Sequence, residues 1–189
     1  MGKTNNTSVV IDRILALTAT TGFIAGSLLL PGLAIGLDKP MQKLMKHLDK
    51  RERERELMRV VRYMRSQRLV SGNYQHGLQI TPRGHKRLAK AQLDSLQVVK
   101  PPSWDKNWRL IFFDIPEPSK AGRDQLIIKL KGLGFYQLQR SVWVHPFPCR
   151  EVIEELGAYY QIDQYITYVE TAYIDNQRQL AKKFHRILR

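Results

Sequence analysis

The chain has 189 residues, 43% hydrophobic and 25% charged, the proportions of an ordinary globular protein. That length suits one domain or two small ones and excludes a long repeat array. A single cysteine, Cys149, rules out an internal disulfide and a cysteine-rich zinc site, so the expected compartment is the cytoplasm. Charge is the first informative quantity, with 31 Lys and Arg against 17 Asp and Glu giving +14. Residues 43–90 hold 14 basic and 4 acidic residues, residues 101–177 hold 8 and 10, and residues 178–189 add five bases and no acid. Such a field over one stretch favours a polyanion partner, nucleic acid first and an anionic membrane surface second.

From Ile14 to Leu37 the chain runs 24 residues without a formal charge, and about 20 suffice to span a bilayer. Length, the Gly22/Gly26 and Gly32/Gly36 steps and the cationic stretch that follows speak for a membrane anchor facing the cytoplasm. Thr18, Thr20, Thr21, Ser27 and the Pro31-Gly32 break speak for a buried helix followed by a turn, the preferred reading. No signal-peptide cleavage pattern follows.

Glu52–Leu69 carries Leu57, Val60, Val61 and Met64 at helical spacing, a stripe for one buried face. Around the back run Arg55, Arg59 and Arg62, flanked by Arg65 and Arg68. Glu52, Glu54 and Glu56 cluster in the first turn, where the helix dipole favours them, but no carboxylate beyond Glu56 balances the arginines. They are therefore read as phosphate contacts. Two short strands, Leu69–Tyr74 and Leu78–Thr81, form a predicted hairpin around Gln75-His76-Gly77. Thr81 is a good N-cap and Pro82 suits the first helical position of a basic helix bearing Arg83, Lys86, Arg87 and Lys90. The tract RLVSGNYQHGLQITPRGHKRL resembles the wing and exit helix of winged helix-turn-helix regulators. That resemblance implies a helix in the major groove and a hairpin near the backbone or minor groove.

Lys100-Pro101-Pro102-Ser103 stops the preceding helix and reads as a linker, separating a domain at 1–96 from one at 105–189. Beyond it the expected elements are a strand over Trp108–Asp114, a helix over Ala121–Leu133, and strands over Phe135–Gln139 and Ser141–Pro146. A helix over Arg150–Tyr160, a strand over Tyr165–Ala172 and a closing helix over Asp175–Leu188 complete them. The expected fold class is therefore α+β: an N-terminal winged helix-turn-helix followed by a ferredoxin-like βαββαβ domain with strand order 4-1-3-2.

The segments WRLIFFDIPE, LGFYQLQRSVWVHPFPC and YVETAYID resemble the central domain of PaaX-like transcriptional regulators, itself similar to the small CRISPR-associated adaptation endonuclease. The resemblance covers about 105–175 and implies a winged helix ahead of this domain, as the order here has it. Full-length phenylacetate-pathway repressors carry a further C-terminal domain without a counterpart here, so no coenzyme A ligand is assigned. In the nuclease family an aspartate after the first strand is implicated in metal binding at a dimer axis, which puts Asp114 forward as a magnesium ligand. One carboxylate per subunit is a poor magnesium site, because a hard cation wants several oxygens. The preferred reading has Asp114 capping the next turn or pairing with Arg140.

Other chemistry is thin. His47, His76, His85, His145 and His185 show no ligand spacing, Ser141 has no activating base, and no phosphate loop or dinucleotide fingerprint is present. Trp108, Phe112, Tyr136 and Trp143 are expected in the core. The expected function is a double-stranded DNA-binding regulator without cofactor, dimerising through its ferredoxin-like half. Arg55, Arg59, Arg62, Arg65, Arg68, Arg83, Lys86 and Arg87 would meet the nucleic acid. The alternative is a magnesium-dependent nuclease, or a nuclease-derived scaffold, using Asp114.

Overall fold

The computed structural model describes residues 3–22, 50–73, 76–175 and 177–188. The chain divides into two units between Asp94 and Ser95. In the first, helix α1 runs Lys3–Thr21, helix α2 Lys50–Ser66, strands β1 and β2 Val70–Asn73 and Gly77–Ile80, and helix α3 Pro82–Ser95.

Helix α1 starts eleven residues before the uncharged run and ends within it, at Thr21, with Gly22 at φ +69°. Its Val10, Ile11, Ile14 and Leu15 are buried with Leu57, Val60, Val61 and Met64 of α2, and with Leu69, Val70 and Leu78. The beginning of the apolar run is thus core of this unit. Thr18, Thr20 and Thr21 donate their hydroxyls to the carbonyls of Ile14, Ala16 and Leu17, so these polar groups are satisfied within the helix. The remainder of the proposed span, residues 23–37, lies outside the described residues, among which no helix is long and apolar enough to cross a membrane.

The hairpin is antiparallel, with Val70 opposite Ile80 and Asn73 opposite Gly77. Thr81 acts as the expected cap: its Oγ1 accepts from Gly84 N at 3.1 Å and donates to Arg68 O at 2.6 Å, fastening the start of α3 to the end of α2. Gly84 lets α3 lie directly on the hairpin, since a Cβ there would stand 2.1 Å from Leu69 O and 2.7 Å from Ile80 Cγ1. Gly84→Ala should destabilise this unit by about 2 kcal/mol, because the backbone clash outweighs the roughly 1 kcal/mol by which alanine favours a helix over glycine. Urea unfolding followed by circular dichroism would measure it; an unchanged or raised midpoint would contradict this packing.

In the second unit, strand β3 runs Trp108–Phe113, helix α4 Lys120–Gly132, strands β4 and β5 Tyr136–Gln139 and Val142–His145, helix α5 Arg150–Tyr160, strand β6 Ile166–Thr171 and helix α6 Gln177–Lys183. The sheet is ordered β4-β5-β3-β6 with every pairing antiparallel, which is the 4-1-3-2 order expected of a βαββαβ chain. Alternation along β3 puts Trp108 and Leu110 on one face, where Leu180 and Phe184 from α6 and the turn after it pack on them with Val144. Helices α4 and α5 pack together and bury Leu126, Leu130, Ile153 and Leu156. Trp108 and Trp143 are core as expected. Phe112 and Tyr136 are not: both are more than a third exposed, Phe112 near the end of its strand and Tyr136 on the edge strand β4. The closing helix is shorter than expected, ending at Lys183 and continuing as turns through Ile187.

Candidate nucleic-acid interface

The stripe of apolar residues in α2 decides which way its arginines point. Because Leu57, Val60, Val61 and Met64 face the core, Arg55, Arg59, Arg62 and Arg65 are exposed on the outer side. Arg55 and Arg62 return one Nε–H each to the helix backbone, to Arg51 O at 3.5 Å and Met58 O at 3.3 Å, leaving the outer guanidinium nitrogens in solvent. Arg68 follows in the left-handed region at φ +55°, exposed, with its carbonyl held by Thr81. Arg83 and Lys86 are exposed on α3. The bond between Arg68 and Thr81 brings the arginines at the end of α2 close to the start of α3.

Two of the eight expected contacts are engaged elsewhere. Arg59 pairs with Glu56 at 2.6 Å on the helix surface, so the arginine face is not wholly unbalanced. Arg87 is half-buried and points inward, with Nε donating to Asp12 Oδ1 at 2.9 Å and Nη2 to Ser8 Oγ at 3.0 Å. It ties α3 to α1, and its position 75 residues from Asp12 hid that pairing from a reading of local patterns. Arg59 and Arg87 share a cleft of about 480 Å³ with Thr7, Ser8, Ile11 and Tyr63. Arg55, Arg62, Arg65, Arg68, Arg83 and Lys86 have no carboxylate partner among the described residues.

The second candidate, Asp114, sits just past β3, its backbone N–H donating to Tyr165 O at 3.1 Å. As expected, the turn between β4 and β5 comes beside it: Asp114, Arg140 and Ser141 line one cleft of about 590 Å³ with Glu117, Lys120 and Arg123. The expected pairing with Arg140 and the expected capping do not form, and the Asp114 carboxylate is exposed without a side-chain partner among the described residues. Glu117 is occupied by Lys120 at 3.3 Å and Arg123 at 3.2 Å. No group of three or more His, Cys, Asp or Glu side chains among the described residues could hold a metal ion. One free carboxylate in a cleft that also holds Lys120, Arg123 and Arg140 does not fit magnesium within a single chain.

A charged cluster that sequence reasoning missed lies at the opposite end of the sheet. Arg109 is buried in β3 between His145 and Glu170 on the neighbouring strands. Its guanidinium forms a bidentate pair with Asp105, donates to Asn107 O at 3.0 Å and Pro146 O at 2.8 Å, and lies 3.5 Å from Glu170. This arrangement pins the end of the linker to the sheet. Trp104 reinforces it, stacking edge-on to Trp108 at 4.9 Å and donating Nε1–H to Asn107 O.

The same cluster sets the local titration. Hydrogen bonds from Arg109 hold the Asp105 carboxyl at about 2, while burial, reinforced by the Arg109 charge, lowers His145 to about 4. Burial pushes the Cys149 thiol up to about 12, which removes it as a nucleophile at neutral pH. Both His145 and Asp105 have folded values below their unfolded ones, so each stabilises the fold at high pH and loses that contribution as acid is added. Stability of this unit should therefore decline first as pH falls from 6.5 through about 4, and again from 3.8 through about 2. Equilibrium unfolding across pH 7 to 2 would test this; a flat profile above pH 4 would remove the His145 contribution.

The βαββαβ order, the linker clamp and the apolar strand with Asp114 just past its end are all present in the C-terminal half. Residues 101–182 match the PaaX protein central Cas2-like domain. The match is to this domain, and it extends past the resemblance read from 105–175 to take in the linker prolines and most of α6. No curated protein matches the chain.

Proposed function

We propose that this chain is a DNA-binding transcriptional repressor of the PaaX-like type, acting in the cytoplasm. Its N-terminal unit would work as a winged helix-turn-helix, with α2 along the duplex and the β1–β2 hairpin as the wing. The observation that carries this reading is the two-sided character of α2: a fully apolar buried stripe behind an exposed row of arginines. Arg55, Arg62, Arg65, Arg68, Arg83 and Lys86 are the contacts, and Arg59 can join them by exchanging Glu56 for phosphate. The PaaX-type domain would join two copies and so set the distance between two half-sites. Its edge strand β6, with Val169 exposed, leaves backbone groups for a second copy to pair with.

Titrating the purified chain against duplex DNA at several salt concentrations, with and without magnesium, tests the proposal. Binding whose logarithm falls by about 0.9 per neutralised phosphate for each decade of salt is expected. Absence of binding at low ionic strength would refute it. Magnesium-dependent strand cleavage abolished by Asp114→Ala would favour the nuclease instead. No contact at Asp114 speaks for that alternative over the repressor.

A further inference from the structure

The C-terminal unit would be nearly neutral in its contribution to binding were it not for its last helix. In α6 and the turns after it, Leu180 and Phe184 are buried against Trp108, Leu110 and Val144, and Ile187 and Leu188 pack on the same cluster. That inward face fixes the outward one. Arg178, Lys182 and Arg186 recur every four residues on the exposed side, joined by Lys183 and His185. None of these four Lys and Arg side chains has a carboxylate partner among the described residues, and the sequence from 176 onward contains no acid. Arg178 and Lys182, like charges four residues apart on the helix, repel one another, and a bound anion would relieve that repulsion.

We infer that the outer face of α6 and of the turns after it, carrying Arg178, Lys182 and Arg186, is a second phosphate-contacting surface for duplex DNA. A lipid surface suits it less well. A helix that lies in a membrane interface turns apolar side chains towards the lipid, whereas here Leu180 and Phe184 are consumed by the core and the exposed residues from Arg178 to Arg186 are all polar or charged. Arg178 and Lys182 stand one helical turn apart on α6, about 6 Å, and Arg186 follows on the exposed side of the turns after it, a spacing suited to a phosphate backbone. The consequence is a protein that holds the duplex through both units, with sequence reading left to the first.

This inference rests on the chain being a duplex binder, and the two can fail separately. The full chain with Arg178→Ala, Lys182→Ala and Arg186→Ala should bind duplex at least about tenfold more weakly at 0.1 M salt, with a salt slope lower by about 2.7. Its thermal melting should be unchanged, because the buried face of the helix is intact. Arg178→Lys with Arg186→Lys should retain binding, as a point charge suffices for phosphate. Unchanged affinity and slope in the triple alanine variant, with the parent chain still binding, would overturn the inference alone. So would a loss seen only with phosphatidylserine vesicles and not with duplex. A parent chain that ignores duplex altogether would remove the repressor reading as well.

Discussion

Replacing Arg55, Arg62 and Arg65 together with alanine is expected to weaken duplex binding on the order of 100-fold near 0.1 M salt and to reduce the salt slope by about 2.7. These three are chosen because each is exposed and none is paired with a carboxylate among the described residues. Alanine is at least as good a helix former as arginine, and the buried stripe of Leu57, Val60, Val61 and Met64 is untouched, so the fold should hold. Arg59 is left out because its removal also breaks an exposed pair with Glu56, worth roughly 0.3–0.5 kcal/mol, and releases that acid into the phosphate field. Fluorescence anisotropy titrations at four salt concentrations, with circular dichroism as the folding control, provide the measurement. A variant that keeps both the parent affinity and the parent slope would show that α2 does not lie on the duplex.

Asp105→Ala should destabilise the C-terminal unit by about 3 kcal/mol, and Arg109→Met by distinctly less. The asymmetry comes from where water can reach. The Arg109 side chain is 3% exposed, whereas those of Asp105 and Glu170 are 43% and 42% exposed. Deleting Asp105 strands a buried guanidinium on two carbonyls and a more distant carboxylate, while deleting the guanidinium removes the buried charge and lets both acids return to solvent, at the smaller cost of the hydrogen bonds to the two neutral carbonyls. At about 4–8 °C per kcal/mol for a domain of this size, Asp105→Ala should lower the midpoint of thermal unfolding by roughly 15 °C. Equal losses in the two variants would mean that the pair, rather than the stranded charge, sets the cost. Acid unfolding of Asp105→Ala should also lack the lower step, below pH 3.8, that the parent shows.

Much of the architecture was legible because it rests on short-range periodicity. The short apolar, aromatic runs WRLIFF and VWVH, the stripe in α2 and the Thr81-Pro82 helix start each state their own conformation, and the strand order follows once βαββαβ is recognised. The start of α1 was not legible: Lys3–Val10 carries no strong stripe of its own, and its helix is held by the core that α2 and the hairpin supply. The exposure of Phe112 and Tyr136 was hidden for a similar reason, since strand composition does not reveal which residues end up at the margin of a sheet.

The candidate interface divides along the same line. From the amino-acid order alone came the existence of an arginine face on α2, because the apolar residues that must be buried dictate which side is left to water. What only the tertiary structure decided was the fate of each individual charge. Arg87 is drawn inward by an aspartate from another helix, Arg109 is swallowed by the sheet, Asp114 is left without the partner assigned to it, and the row on α6 is turned outward by the docking of Leu180 and Phe184. Burial of a stripe is a property of neighbouring residues, whereas the pairing of a charge depends on which distant groups the packing brings within hydrogen-bonding distance.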